Sequence, residues 1–226
     1  MIRSLFIAAK DLKAEFRTKQ ILNAMFIFSL LVLVVFSISF GDFLGDTEKV
    51  SKLAPGVLWV AFTFAGMLGL SRTFALESEN GCLEALKLCP VDRGTIYTGK
   101  VLSNLIIVFL MEVVTLPFFI VLFNYSLSTQ TLFLLSLIFF LGTFGFISVG
   151  TLLSALTLGT RTRELLLPVL LLPLLLPVLI PSVEATGGIL AGSGLRDLIP
   201  EIRLLLVYDL VFFVISHLVF EYVISD

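Results

Sequence analysis

Charged side chains are scarce in this sequence. Asp, Glu, Lys and Arg together make up 14% of it, where a water-soluble surface needs roughly 25%. That scarcity excludes an ordinary soluble fold. Histidine occurs once, at His217, which rules out a His-rich metal site and a second histidine as catalytic base. Cysteine occurs twice, at Cys82 and Cys89, in neither a CxxC pair nor a CxxCH haem-attachment motif. No G-x-x-x-x-G-K-[S/T] phosphate loop is present, so the chain does not hydrolyse ATP by that route. No Gly-x-Ser-x-Gly elbow and no pair of aspartates inside an apolar run occurs, which argues against an intramembrane protease. A net charge of −2 leaves no electrostatic footprint for nucleic acid. These absences together predict a non-catalytic chain that holds no metal or cofactor of its own.

What is abundant is apolar. Hydrophobic residues make up 58%, and the mean hydropathy is +1.09. They gather in six runs, at about 21–40, 57–76, 101–123, 131–154, 165–183 and 203–223. Each is close to the twenty or so residues that cross about 30 Å of hydrocarbon as a helix. The fold class is therefore all-α and integral to the membrane. Ahead of the first run, Leu5, Ala9, Leu12 and Phe16 share one helical face, while Arg3, Lys10, Lys13 and Arg17 share another. This is a basic amphipathic helix suited to the membrane interface. Its five spread basic residues, and the lack of a small-x-small site after the first run, set it apart from a signal peptide.

Orientation follows from Lys and Arg outside the runs. One side holds Arg3, Lys10, Lys13, Arg17, Lys19, Arg72, Lys87, Arg93, Lys100, Arg161 and Arg163; the other holds Lys49, Lys52, Arg196 and Arg203. The richer side is expected in the cytoplasm, with both termini. Cys82 and Cys89 then lie in a reducing compartment and are read as free thiols.

Few polar residues interrupt the spans. Glu112 lies deepest in the third, and Asp209, His217 and Glu221 lie in the sixth. An ionised group at mid-bilayer costs roughly 2.5–3.5 kcal/mol, so Glu112 and Asp209 are candidate functional groups. Asp209 falls in the outer third of its span, near enough to the surface to be hydrated. His217 and Glu221 are read as interfacial. The fifth span carries Pro168, Pro173, Pro177 and Pro181, each of which removes a backbone donor. A kinked helix is expected, serving either motion, with Pro173 and Pro177 as joints, or packing. Ala65/Gly69 and Gly150/Ser154 are small pairs at four-residue spacing that permit close helix approach. The segment from Glu184 to Glu201, with four glycines, is expected to be a flexible outer loop or a short interfacial helix.

The polar segment between the second and third spans carries the most information. It runs Glu77, Ser78, Glu79, Asn80, Gly81, Cys82, Leu83, Glu84, Ala85, Leu86, then Pro90, and ends at Gly99-Lys100. Its acids and leucines suggest a short amphipathic helix stopped by Pro90, with Asp92 able to cap a further turn. This pattern resembles the cytoplasmic loop of type II ABC exporter permeases, with Cys82 where those have Thr. The resemblance implies that the loop is a coupling helix docking on an ATPase subunit through Glu77, Glu79, Gly81, Leu83, Glu84, Leu86 and Pro90, and that residues 1–20 form an elbow helix. Within that superfamily the chain resembles the CcmB family, the haem exporter permeases of cytochrome c maturation. Residues 152–164, from Leu152 to Glu164, are similar to that family's loop after the fourth span, and Leu172 to Pro181 to the start of its fifth.

The resemblance implies a single transmembrane permease domain over 1–226, with the coupling loop at 77–100, in the cell inner membrane. It implies an ABC ATPase partner (CcmA-like) that holds ATP and Mg, a haem-handling membrane partner (CcmC-like), a homodimer within the complex, and haem as substrate. Two rival readings are a permease of another ABC exporter, for a drug, lipid or glycan, and a proton-linked secondary transporter. The latter should show interrupted helices in corresponding positions of two repeated halves. The prolines cluster in the fifth span, and the second has no matching interruption.

Overall fold

The computed structural model describes residues 2–40, 47–74, 92–125, 128–158, 160 and 162–223. Among these residues the fold is all-helical. The helices are α1 (Ile2–Thr18), α2 (Gln20–Ser39), α3 (Thr47–Arg72), α4 (Arg93–Leu122), α5 (Thr129–Leu156), α6 (Arg163–Leu190) and α7 (Ile199–Val223). Six of them, α2 to α7, are long and apolar enough to cross a membrane.

The spans match the six apolar runs, and their ends differ in an instructive way. α4 begins at Arg93, a full two turns before the apolar run, because α1 and α7 pack against that first stretch and bury Ile96, Tyr97 and Lys100. Asp92 occupies the N-cap position, but its side chain makes no capping bond. Ser128 does cap α5, accepting from the Thr131 amide. α6 runs unbroken through all four prolines and continues past Gly187 and Gly188 to Leu190. The glycine-rich loop expected from Glu184 is therefore short, and comprises the turn at 191–198 with Gly192 at φ 92°.

α5 and α3 form the centre. In each, 67% of the most apolar stretch is buried, against 22% in α2 and in α7. α5 touches α3, α4, α6 and α7, and small residues let it do so. A Cβ on Gly142 would meet the Trp59 ring, and one on Gly150 would meet Leu70. The small-residue pairs serve two different contacts, Gly150/Ser154 that of α5 with α3 and Gly69 that of α3 with α2. Ala65 is fully buried, Gly69 lies against Met25, and Ser154 Oγ donates to the Leu70 carbonyl at 2.7 Å. Other polar ties cross the apolar layer: Trp59 Nε1 donates to Thr186 Oγ1 at 3.0 Å, Tyr97 Oη to the Ser148 carbonyl at 3.0 Å, and Tyr208 Oη to the Leu174 carbonyl at 2.8 Å. Each places a donor where water cannot supply an acceptor.

α1 differs from the amphipathic picture in one respect. Its protein-facing side is made of Ser4, Ala8, Asp11 and Glu15 with Ile7 and Leu12 packed at its edges, while Leu5, Phe6 and Phe16 are exposed. The apolar side is thus left for lipid, as an interfacial helix requires. The packed side is chosen by α4, where Gly99 lies so close that a Cβ there would come within 2.8 Å of Ile7 Cβ and 2.9 Å of the Ser4 carbonyl oxygen.

Candidate functional site

The densest polar constellation lies where α1, the end of α3 and the start of α4 meet. Lys100 is 2% exposed. Its Nζ pairs with Asp11 Oδ2 at 2.9 Å, donates to the Thr73 carbonyl at 3.3 Å, and lies 5.2 Å from the centre of the Phe74 ring. An ammonium has three donor directions and no acceptor; here they are met by a carboxylate, a carbonyl and a π face. One turn further along α4, Asn104 accepts from Thr73 Oγ1 at 3.2 Å and donates to Thr151 Oγ1 at 3.3 Å. The chain so formed links α1, α3, α4 and α5.

Its position gives it a role. Arg72 ends α3 and Arg93 starts α4, so the knot spans the base of the connection between them. A displacement of that connection would reach α1 and α5 through Lys100 and Asn104. The Gly94-to-Lys100 stretch also has the G-x-x-x-x-G-K spacing of a phosphate loop, but Val101 replaces the metal-binding hydroxyl and the whole stretch is helical. From Thr95 onward its backbone amides are therefore committed to the helix. Gly94 is needed for another reason: a Cβ there would meet the His217 ring. His217 lies half-buried beside Thr98, and Arg93 donates to the Glu221 carbonyl at 3.0 Å. His217 and Glu221 thus sit at the α1 end of the bundle.

The coupling-loop residues Glu77, Glu79, Gly81, Leu83, Glu84, Leu86 and Pro90 lie outside the described residues. The candidate intramembrane groups are described. Glu112 is 1% exposed; Thr143 Oγ1 of α5 donates to its Oε1, and its Oε2 has no partner. Asp209 is 4% exposed, and neither of its oxygens has a partner. Asp209 is thus enclosed within the chain rather than near its surface, because α7 packs onto α5 at Gly145, with Tyr208 and Val178 closing the gap. Both carboxyls approach α5 within the short stretch Thr143–Gly145. Partnerless carboxyl oxygens at that depth are costly and tend to be kept where they serve function. Pro173 and Pro177 lie on the exposed face of α6, away from the rest of the chain. Among the described residues no three His, Cys, Asp or Glu side chains converge on a metal site.

Sequence reasoning missed Asp11, Glu15 and Asn104. A signal was available. Asp11 and Glu15 are the only acids in a basic helix and stand four residues apart, on one face.

Residues 2–224 match the sequence profile of the CcmB protein family. Heme exporter protein B of Rhodobacter capsulatus is 31% identical over 167 residues, covering 74% of each chain. Heme exporter protein B of Pseudomonas aeruginosa is 30% identical over 167 residues, covering 74% of this chain and 73% of that one. The Haemophilus influenzae protein of the same name is 32% identical over 191 residues, covering 84% and 82%. With a profile match over nearly its whole length and relatives about as similar along most of it, the chain belongs to the CcmB family.

Proposed function

We propose that this chain is the membrane permease subunit of an ATP-driven ABC complex that handles haem for cytochrome c maturation. The observation that carries the reading is membership of the CcmB family, whose relatives are named heme exporter protein B. In this reading the chain catalyses nothing. A CcmA-like ATPase subunit supplies ATP hydrolysis, a CcmC-like membrane protein handles haem alongside it, and two copies of the permease work together in the inner membrane with their termini in the cytoplasm. ATP-driven closure of the ATPase pair pushes the 77–91 segment, and the Lys100 knot passes that push to α1, α3, α4 and α5 as packed units. Support for such a lever comes from the bonds of Lys100 to α1 and the end of α3 and of Asn104 to α5, which tie the four helices to one another. The six spans are continuous helices among the described residues, where a transporter of inverted repeats would place interrupted ones.

The test is co-purification. Tagged chain should bring down an ABC ATPase identifiable by mass spectrometry. Glu84→Lys or Leu86→Asp should abolish that capture while the protein still inserts. Normal capture and normal maturation of cytochrome c in both variants would refute the coupling assignment.

A further inference from the structure

α1 packs along α4 but barely touches α2, and the space left over is a cleft of about 250 Å³ between α1, α2, α3 and α4. That is roughly eight times the liquid volume of a water molecule, about 30 Å³. One part of its wall is apolar, formed by Ile21, Leu70, Ile107 and Val108; the other is charged, formed by Lys10, Asp11, Glu15, Arg72 and Lys100.

The charges do not cancel in place. Asp11 is held by both Lys10, at 3.3 Å, and Lys100, at 2.9 Å. Glu15 is 6% exposed and uses Oε1 to accept from the Leu22 amide at 2.8 Å. Its Oε2 has no partner among the described residues. Arg72, at the other side of the cleft, likewise makes no ion pair or hydrogen bond among the described residues. One carboxylate oxygen and one guanidinium therefore remain in the lining of the cleft, opposite in sign, beside an apolar wall. The exposed Leu5, Phe6 and Phe16 of α1 set the mouth of the cleft at the level of lipid headgroups.

We propose that this cleft binds one membrane phospholipid with a phosphoethanolamine headgroup. The phosphate lies on Arg72, whose fork of donors suits phosphate oxygens. The primary ammonium donates to Glu15 Oε2, and the start of an acyl chain lies along Ile107, Val108 and Leu70. A choline headgroup offers no N–H to Glu15, and the cleft has no aromatic residue to receive a quaternary ammonium. A glycerol headgroup leaves Glu15 facing a net anion. Free inorganic phosphate leaves the apolar wall bare. The bound lipid would fill the gap between α1 and α2 and bridge the interfacial helix to the spans.

The test is lipid retention by the full-length chain, purified in detergent and exchanged into defined micelles. The probes are dioleoyl phosphatidylethanolamine, phosphatidylcholine, phosphatidylglycerol and inorganic phosphate, each followed by native mass spectrometry. One equivalent of phosphatidylethanolamine should be retained, and Arg72→Gln or Glu15→Gln should weaken it about tenfold, the loss of one charge-assisted contact. Glu15→Gln keeps a carbonyl for the Leu22 amide, and Arg72 is exposed, so both variants should fold. Equal retention of phosphatidylglycerol or phosphatidylcholine, retention of inorganic phosphate instead of lipid, or unchanged retention in both variants would each overturn the proposal. The measurement uses neither ATPase nor haem, so its outcome is separate from that of the transport reading.

Discussion

Lys100 shows how a single residue is given its meaning by depth. In the sequence it counts as one more basic residue at the edge of an apolar run, where a lysine ordinarily reaches back to the interface. In the fold it is buried and faces inward, because the neighbouring Gly99 lets α1 come close enough for Asp11 to meet it. Two substitutions separate these contributions. Lys100→Met removes the buried cation and leaves Asp11 with Lys10 alone, so the loss should fall below the roughly 3–5 kcal/mol of a buried charge left wholly uncompensated. Gly99→Ala keeps the pair but drives a methyl into Ile7 and the Ser4 carbonyl, costing about 1–3 kcal/mol. Both should lower the melting temperature in detergent and expose α1 to added protease. A melting temperature equal to the parent in both would show that α1 is not anchored through α4. The pairing of residues 11 and 100 was illegible beforehand because nothing local links them. The Thr143 partner of Glu112 was hidden for the same reason, since threonines are common in the spans and only packing selects one.

At the scale of elements, the six spans were readable because length and hydropathy alone decide whether a helix can cross a bilayer. The small-residue pairs were readable because close approach demands them. The behaviour of α6 was not. Four prolines suggest a kinked or broken helix; it is not broken and persists from Arg163 to Leu190, since a helix in an apolar medium has no water to take over its remaining bonds. Pro173 and Pro177 lie on the exposed face of α6. Replacing both with Ala should leave expression and ATPase capture intact. It should also reduce ATP-dependent maturation of cytochrome c, because two restored donors stiffen the helix. Full maturation activity in the double variant would exclude a required joint in α6.

The molecule as a whole has two unlike ends. The α1 end carries the Lys100 knot, the cleft and the His217 cluster; the far end is tied by Ser37 Oγ to the Leu122 carbonyl and by Trp59 to Thr186. If the basic excess orients the chain, the α1 end faces the cytoplasm. In a background carrying Cys82→Ser and Cys89→Ser, Thr47→Cys should react with a membrane-impermeant maleimide added outside. Thr160→Cys should react only after the membrane is opened. Labelling of Thr160→Cys from outside would invert the orientation. The same arrangement has a consequence for biosynthesis. The Glu15–Leu22 bond closes a loop of a few residues and forms as soon as the first turn of α2 exists. The Asp11–Lys100 pair joins residues separated by two spans of chain, and long-range contacts come late. During synthesis α1 therefore waits at the membrane surface, its acidic face uncovered, until α4 has entered. A nascent chain arrested after α3 should hold α1 undocked, and one arrested after α4 should dock it, so that assembly of the knot reports completion of the third span.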